Sequence, residues 1–110
     1  RRYHMSYRYM RMLLFFDLPV VEPADRREYA RFRKHLIKSG FIMLQESVYA
    51  KLLLNSTAAG IIAENVRRNK PPKGLIQILT ITEKQYAKME YILGEFHTEI
   101  IDTDDRLVIL

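Results

Sequence analysis

Met10-Arg11-Met12-Leu13-Leu14-Phe15-Phe16-Asp17-Leu18-Pro19 is the stretch on which the fold turns. From Met12 to Phe16 every residue is apolar, so an extended segment here has two apolar faces and belongs in the middle of a sheet, covered on one side and touching a partner on the other. A strand over Tyr7 to Phe16 follows. Asp17-Leu18-Pro19 ends it, because proline has no backbone N–H for the ladder and biases its predecessor away from helix.

Downstream, Pro23 suits the first turn of a helix. Between Ala24 and Ser39, Tyr29, Ala30, Phe32, Leu36 and Ile37 share one arc at about 100° per residue, with Arg27, Arg31, Lys34 and Lys38 on the other side. Gly40 closes that helix. Phe41 to Leu44 and Ser47 to Leu54 read as two strands, or as one broken at Gln45-Glu46. Asn55-Ser56-Thr57 offers side-chain oxygens to cap a second helix, whose apolar face is Ala58, Ala59, Ile61, Ile62 and Val66 and whose end lies near Asn69. Pro71-Pro72-Lys73-Gly74 is a turn, and Leu75 to Ile81 is a strand. Thr82-x-x-Gln85 matches a capping box, after which Met89 to Leu93 reads as a further strand stopped by Gly94. Arg106 to Leu110 reads as a C-terminal strand, too apolar to stay unpaired. The order is that of an α+β, ferredoxin-like β-α-β-β-α-β sandwich with an extra C-terminal strand. A second copy is the expected partner of that strand, in a homodimer.

The chain of 110 residues is the size of one domain. Residues 5 to 110 are read as that domain, and Arg1-Arg2-Tyr3-His4 as a stub left by expression. There is no apolar run of about 18 residues to cross a bilayer and no signal-peptide pattern. Cysteine is absent, which removes disulfide frameworks and thiolate chemistry and points to the cytoplasm. The net charge of +5 is uneven: residues 1 to 51 carry 11 Lys or Arg against 5 acids, the rest 7 against 8. A polyanion footprint on one part of the molecule would produce that asymmetry.

Asp17 is the candidate catalytic and metal-binding residue. It is an acid at the end of a buried strand, and a two-fold axis near that strand would bring two copies together around a Mg²⁺ ion able to activate water for phosphodiester cleavage. The alternative role is to cap the turn by accepting backbone hydrogen bonds. The candidate nucleic-acid-binding residues are Arg27, Arg31, Lys34 and Lys38, spaced along about 16 Å of one helix face; an ordinary solvated face is the alternative. Arg26 and Arg33 fall in or beside the apolar arc and call for an acid, an interface or a phosphate. His4, His35 and His97 assemble no triad, and the isolated glycines form neither a P-loop nor a dinucleotide fingerprint. Asp102-x-Asp104-Asp105 lacks the glycine and distal glutamate of a calcium loop. Glu95 to Asp105 reads as an exposed acidic loop and, with the terminal strand, as a partner-docking segment.

Three ordered stretches, Arg8 to Pro19, Ser39-Gly40-Phe41-Ile42-Met43-Leu44-Gln45-Glu46-Ser47-Val48-Tyr49 and Leu79-Thr80-Ile81-Thr82-Glu83-Lys84-Gln85-Tyr86, together resemble the CRISPR-associated Cas-two family in its type II form. The resemblance implies a homodimer with its C-terminal strand crossing to the other protomer. It also implies a role in antiviral defense through spacer acquisition: a non-catalytic double-stranded-DNA-binding bridge between dimers of the Cas-one integrase, while captured DNA is inserted into the CRISPR array. Some family members are implied to be Mg²⁺-dependent endonucleases with the aspartate after the first strand as ligand, which maps onto Asp17. With Met43-Leu44 before Gln45-Glu46-Ser47-Val48 the chain departs from ribonuclease-type members, which often carry an arginine shortly before that element. The scaffold is therefore the leading expectation, a metal-dependent endonuclease the second, and a stand-alone ribonuclease toxin the last.

Overall fold

The computed structural model describes residues 9–95. Strand β1 (Met10–Asp17) leads into helix α1 (Pro23–Lys38), followed by strands β2 (Ile42–Gln45) and β3 (Val48–Leu53). Helix α2 (Ser56–Arg68), strand β4 (Leu75–Thr82) and the single-turn helix α3 (Glu83–Tyr86) complete it. The strands form one antiparallel sheet in the order β2-β3-β1-β4, so β1 is central and β4 is an edge. This is the ferredoxin-like order expected. The stub, the acidic segment beyond Glu95 and the strand expected at Arg106 to Leu110 lie outside the described residues.

Local chemistry accounts for the boundaries. Pro23 stands at the start of α1, with the Asp25 carboxylate accepting from the Glu22 backbone N–H at 3.3 Å. The Asn55 side chain accepts from the Ala58 N–H at 2.9 Å and starts α2. Thr82 and Gln85 form the reciprocal capping box, with bonds of 3.0 and 2.9 Å. The break between β2 and β3 is a turn at Glu46-Ser47, preceded by a register shift between Met43 and Gln45. Gly74 is the glycine that the fold most needs: φ is +111°, and a Cβ there would lie 2.9 Å from the Asp17 carbonyl oxygen.

Side chains alternate across β1. Met12, Leu14 and Phe16 face the two long helices and join Tyr49 and Leu53 of β3, Phe32 and Leu36 of α1, and Ala63 and Val66 of α2 in one core. Phe16 is its hub, edge-on to Tyr29 and Phe32 with centroids 5.6 and 5.9 Å away and stacked on Tyr49 at 5.8 Å. Leu13 and Phe15 face the other way.

Two expectations need correction. Ala30 and Ile37 are exposed, and the buried row of α1 is instead Asp25, Phe32 and Leu36, because the helix meets the sheet along a stripe narrower than its apolar arc. Met89 to Leu93 is not a strand. The chain coils past α3 through Lys88 N–H to Gln85 and Met89 N–H to Tyr86 carbonyl bonds, leaving Ile92 and Leu93 about nine-tenths exposed at 89% and 94%. Apolar character alone does not make a strand where no described neighbour offers a ladder to pair with.

Candidate nucleic-acid interface

Burial of Phe32 and Leu36 fixes the rotation of α1 about its axis, and that rotation puts Arg27, Arg31, Lys34 and Lys38 in solvent. Arg27, Lys34 and Lys38 have no ion-pair partner among the described residues. Arg31 is tied down: it pairs with Glu28 at 2.9 Å and donates to the Asn69 carbonyl at 3.0 Å, linking the middle of α1 to the end of α2. Lys38 lies in the last turn of α1, where a cation suits the helix dipole. Arg26 pairs with no acid among the described residues. It donates to the Val20 and Val21 carbonyls at 3.1 and 2.8 Å and braces the β1–α1 loop. Half-buried His35 sits 3.5 Å from the Ser39 hydroxyl, and burial pushes its pKa down, helped by Arg31 and Lys38.

The end of α2 adds cations that periodicity did not single out. Arg67 and Arg68 approach the same carboxylate, Glu64, at 2.9 and 3.8 Å, and Lys70 donates to the Arg67 carbonyl at 3.4 Å. Beside them is a groove of about 200 Å³ with Ala63, Val66, Ile76 and Ile78 along it and Arg67 and Lys70 at its rim. These residues look unremarkable in a linear reading, since only the packing of α2 against the sheet brings its last turn to Arg31.

Asp17 is exposed at the end of β1 and lies on the face turned away from α1 and α2, in register with Leu75. Its carboxylate accepts no hydrogen bond from the described residues, so the capping role does not materialise. Asp17 and the α1 cations therefore occupy opposite layers and do not make one site. No group of three or more potential metal ligands occurs among the described residues. Asp17 brings one carboxylate to that place, and a second copy of the chain would bring another of the one or two that Mg²⁺ commonly takes.

The carboxylate that does carry a strong local interaction is Asp25, which linear reading passed over. It is buried and pairs with Lys73 at 3.0 Å, clamping the Pro71-Pro72-Lys73 turn against the start of α1. The Lys73 hydrogen bond, aided by the Glu22 N–H, holds the Asp25 carboxyl below its ordinary value against the opposing effect of burial. At the far end of the Asp17 face, Arg11 bonds both oxygens of Glu83, at 2.7 and 3.2 Å, and its guanidinium lies 4.4 Å from the centroid of the Tyr86 ring. Burial raises the Tyr86 pKa, and Arg11 works against that rise.

A four-stranded antiparallel sheet with two helices on one face, a nearly bare apolar second face and a cationic helix surface defines a small ferredoxin-like protein of α+β class. The family model for CRISPR associated protein Cas2 matches residues 10–89, and the chain belongs to that family. A protein named CRISPR-associated endoribonuclease Cas2 from Treponema denticola is 59% identical over 101 residues, covering 92% of this chain and all of that relative. One of the same name from Streptococcus mutans is 50% identical, covering 92% of this chain and 93% of the relative. A solved structure described as a crystal structure of cas2 superposes with a TM-score of 0.57 at 17% identity, over 82% of this chain and 92% of that one, and supports the fold.

Proposed function

We propose that this protein is a non-catalytic, double-stranded-DNA-binding bridge of the CRISPR adaptation complex, supporting captured DNA while the Cas-one integrase inserts it into the array. The observation that carries this reading is the row of exposed α1 cations, three of them without an acidic partner among the described residues. Such a row binds phosphates without reading bases, with affinity that falls as salt rises. The bare sheet face supports a homodimer: Leu52, Leu75 and Leu79 are 44%, 55% and 54% exposed on a face that holds Leu13 and Phe15 as well.

A second reading is a Mg²⁺-dependent endonuclease acting through Asp17. The names of the relatives favour it, as does the position of Asp17 on the same bare face, where pairing of two copies would bring two carboxylates together. Integration of a short labelled duplex into a leader-repeat target by the cognate integrase separates the two. The bridge reading expects activity to vanish when this protein is omitted and to persist with Asp17→Ala. Loss of integration with a folded Asp17→Ala protein, or EDTA-sensitive cleavage abolished by that substitution, would favour the enzyme.

A further inference from the structure

Midway along the α1 row is a contact that a simple solvated face would not have: the Arg31 guanidinium reaches across to the carbonyl of Asn69, the residue that closes α2. That bond sets the last turn of α2 beside the middle of α1. Lys38, by contrast, is seven residues, or about 10 Å, further along α1 from this junction. The cations that flank Asn69 along the chain are those of the α2 terminus, Arg67, Arg68 and Lys70.

We propose that the phosphate track crosses from α1 onto the C-terminal end of α2, with Arg67, Arg68 and Lys70 forming a second row for the backbone of the same bound duplex. The inference rests on the bridge reading and extends its site. Charge balance supports it. Arg67 and Arg68 share the single carboxylate of Glu64, so one positive charge at that place is left without a counter-ion, and Lys70 contacts only a backbone carbonyl. Both arginines remain largely exposed, at 65% and 72% of their side chains, and are open to a ligand. Their positions are set beforehand by rigid helix, which lowers the entropy lost on binding. A duplex carries phosphates on two strands, and a second row placed across the layer allows contacts that a single stripe along one helix does not.

Glu64 is the competitor in this arrangement, because its carboxylate must give up the two arginines before phosphate can take them. That makes the proposal testable by a gain as well as a loss. The probe is a mixed-sequence 30-base-pair DNA duplex, titrated at several salt concentrations. Arg67→Ala/Arg68→Ala/Lys70→Ala is expected to weaken binding at least tenfold at 100 mM salt and to lower the salt slope by about 2 to 3. Glu64→Gln is expected to tighten binding by about threefold, the scale of an exposed ion pair. A triple variant and a Glu64→Gln variant that bind like wild type, while Arg27→Glu/Lys34→Glu/Lys38→Glu loses binding, would overturn the second row and leave the bridge intact. Retained binding in that last variant as well would remove the bridge reading together with its extension.

Discussion

Met12, Leu14 and Phe16 turn toward the helices, whereas Leu13, Phe15 and Asp17 turn away, so neighbouring residues of one strand meet two different environments. On the covered face, burial is completed within the chain: Met12, Leu14, Phe32, Leu36 and Tyr49 have no solvent exposure. On the other face, α3 packs at the Arg11 end and Leu13 and Ala50 are buried, while Leu52, Leu75 and Leu79 stay half open. An apolar surface of that kind is expensive to leave in water, at about 25 cal/mol per Å². The first face specifies the protomer, and the second is suited to specify what the protomer binds.

Truncating the covered face tests that division most severely. Phe32→Ala removes a fully buried ring edge-on to Phe16 and should cost about 3 to 5 kcal/mol in denaturant unfolding. A loss below about 1 kcal/mol would mean that the face collapses around the gap and is not tightly packed. Leu79→Lys probes the other face. Its side chain is half exposed, so the circular dichroism spectrum should stay that of the wild type while the sedimenting mass falls from dimer to monomer. The unfolding midpoint of wild type should then rise with protein concentration and that of Leu79→Lys should not. A wild type that sediments as a monomer at all concentrations would break the comparison.

How far each face was legible in the sequence follows from the range of the forces involved. The run from Met12 to Phe16 announced a central strand because both sides of it are apolar, and the caps at Asn55 and Thr82 were readable since their bonds span three residues. The α1 cations were placed in solvent correctly by helical periodicity. Tertiary pairings escaped. Nothing at Asp25 announces Lys73, 48 positions on, and nothing at Arg31 announces Asn69. Hydrophobicity alone set Ala30 and Ile37 on the apolar arc of α1, although the width of the buried stripe is set by the sheet beneath. Asp17 was singled out for its position, and its exposure on the bare face agrees with either a partner surface or a paired-carboxylate site.

Asp25 and Lys73 give a pH test on the covered side. Folding lowers the Asp25 pKa below its ordinary 3.8, so the unfolded chain holds more protons in the interval between the two values. The pair's contribution is complete above the unfolded value and is lost as pH falls through the folded one. Lys73→Met should therefore be less stable than wild type at neutral pH, and the gap should close as pH drops below about 4. A gap that is unchanged down to pH 2 would assign the effect of the substitution to packing in the turn.

The smallest effect expected lies at the centre of the covered face. Tyr49 is fully buried, yet its hydroxyl has no hydrogen-bond partner among the described residues. Burial pushes the phenol pKa up, and the neighbouring Arg33 guanidinium pulls in the other direction through its charge and its N–H groups. An unpaired buried hydroxyl costs about 1 to 3 kcal/mol, partly regained where the group relaxes. Tyr49→Phe keeps the ring stacked on Phe16 and removes only that oxygen, so it should leave stability unchanged or raise it by about 1 kcal/mol. A loss of about 1 kcal/mol would instead show that the hydroxyl is paired in solution, with Arg33 as the nearest donor, and would make Arg33 a structural cation unavailable to a phosphate.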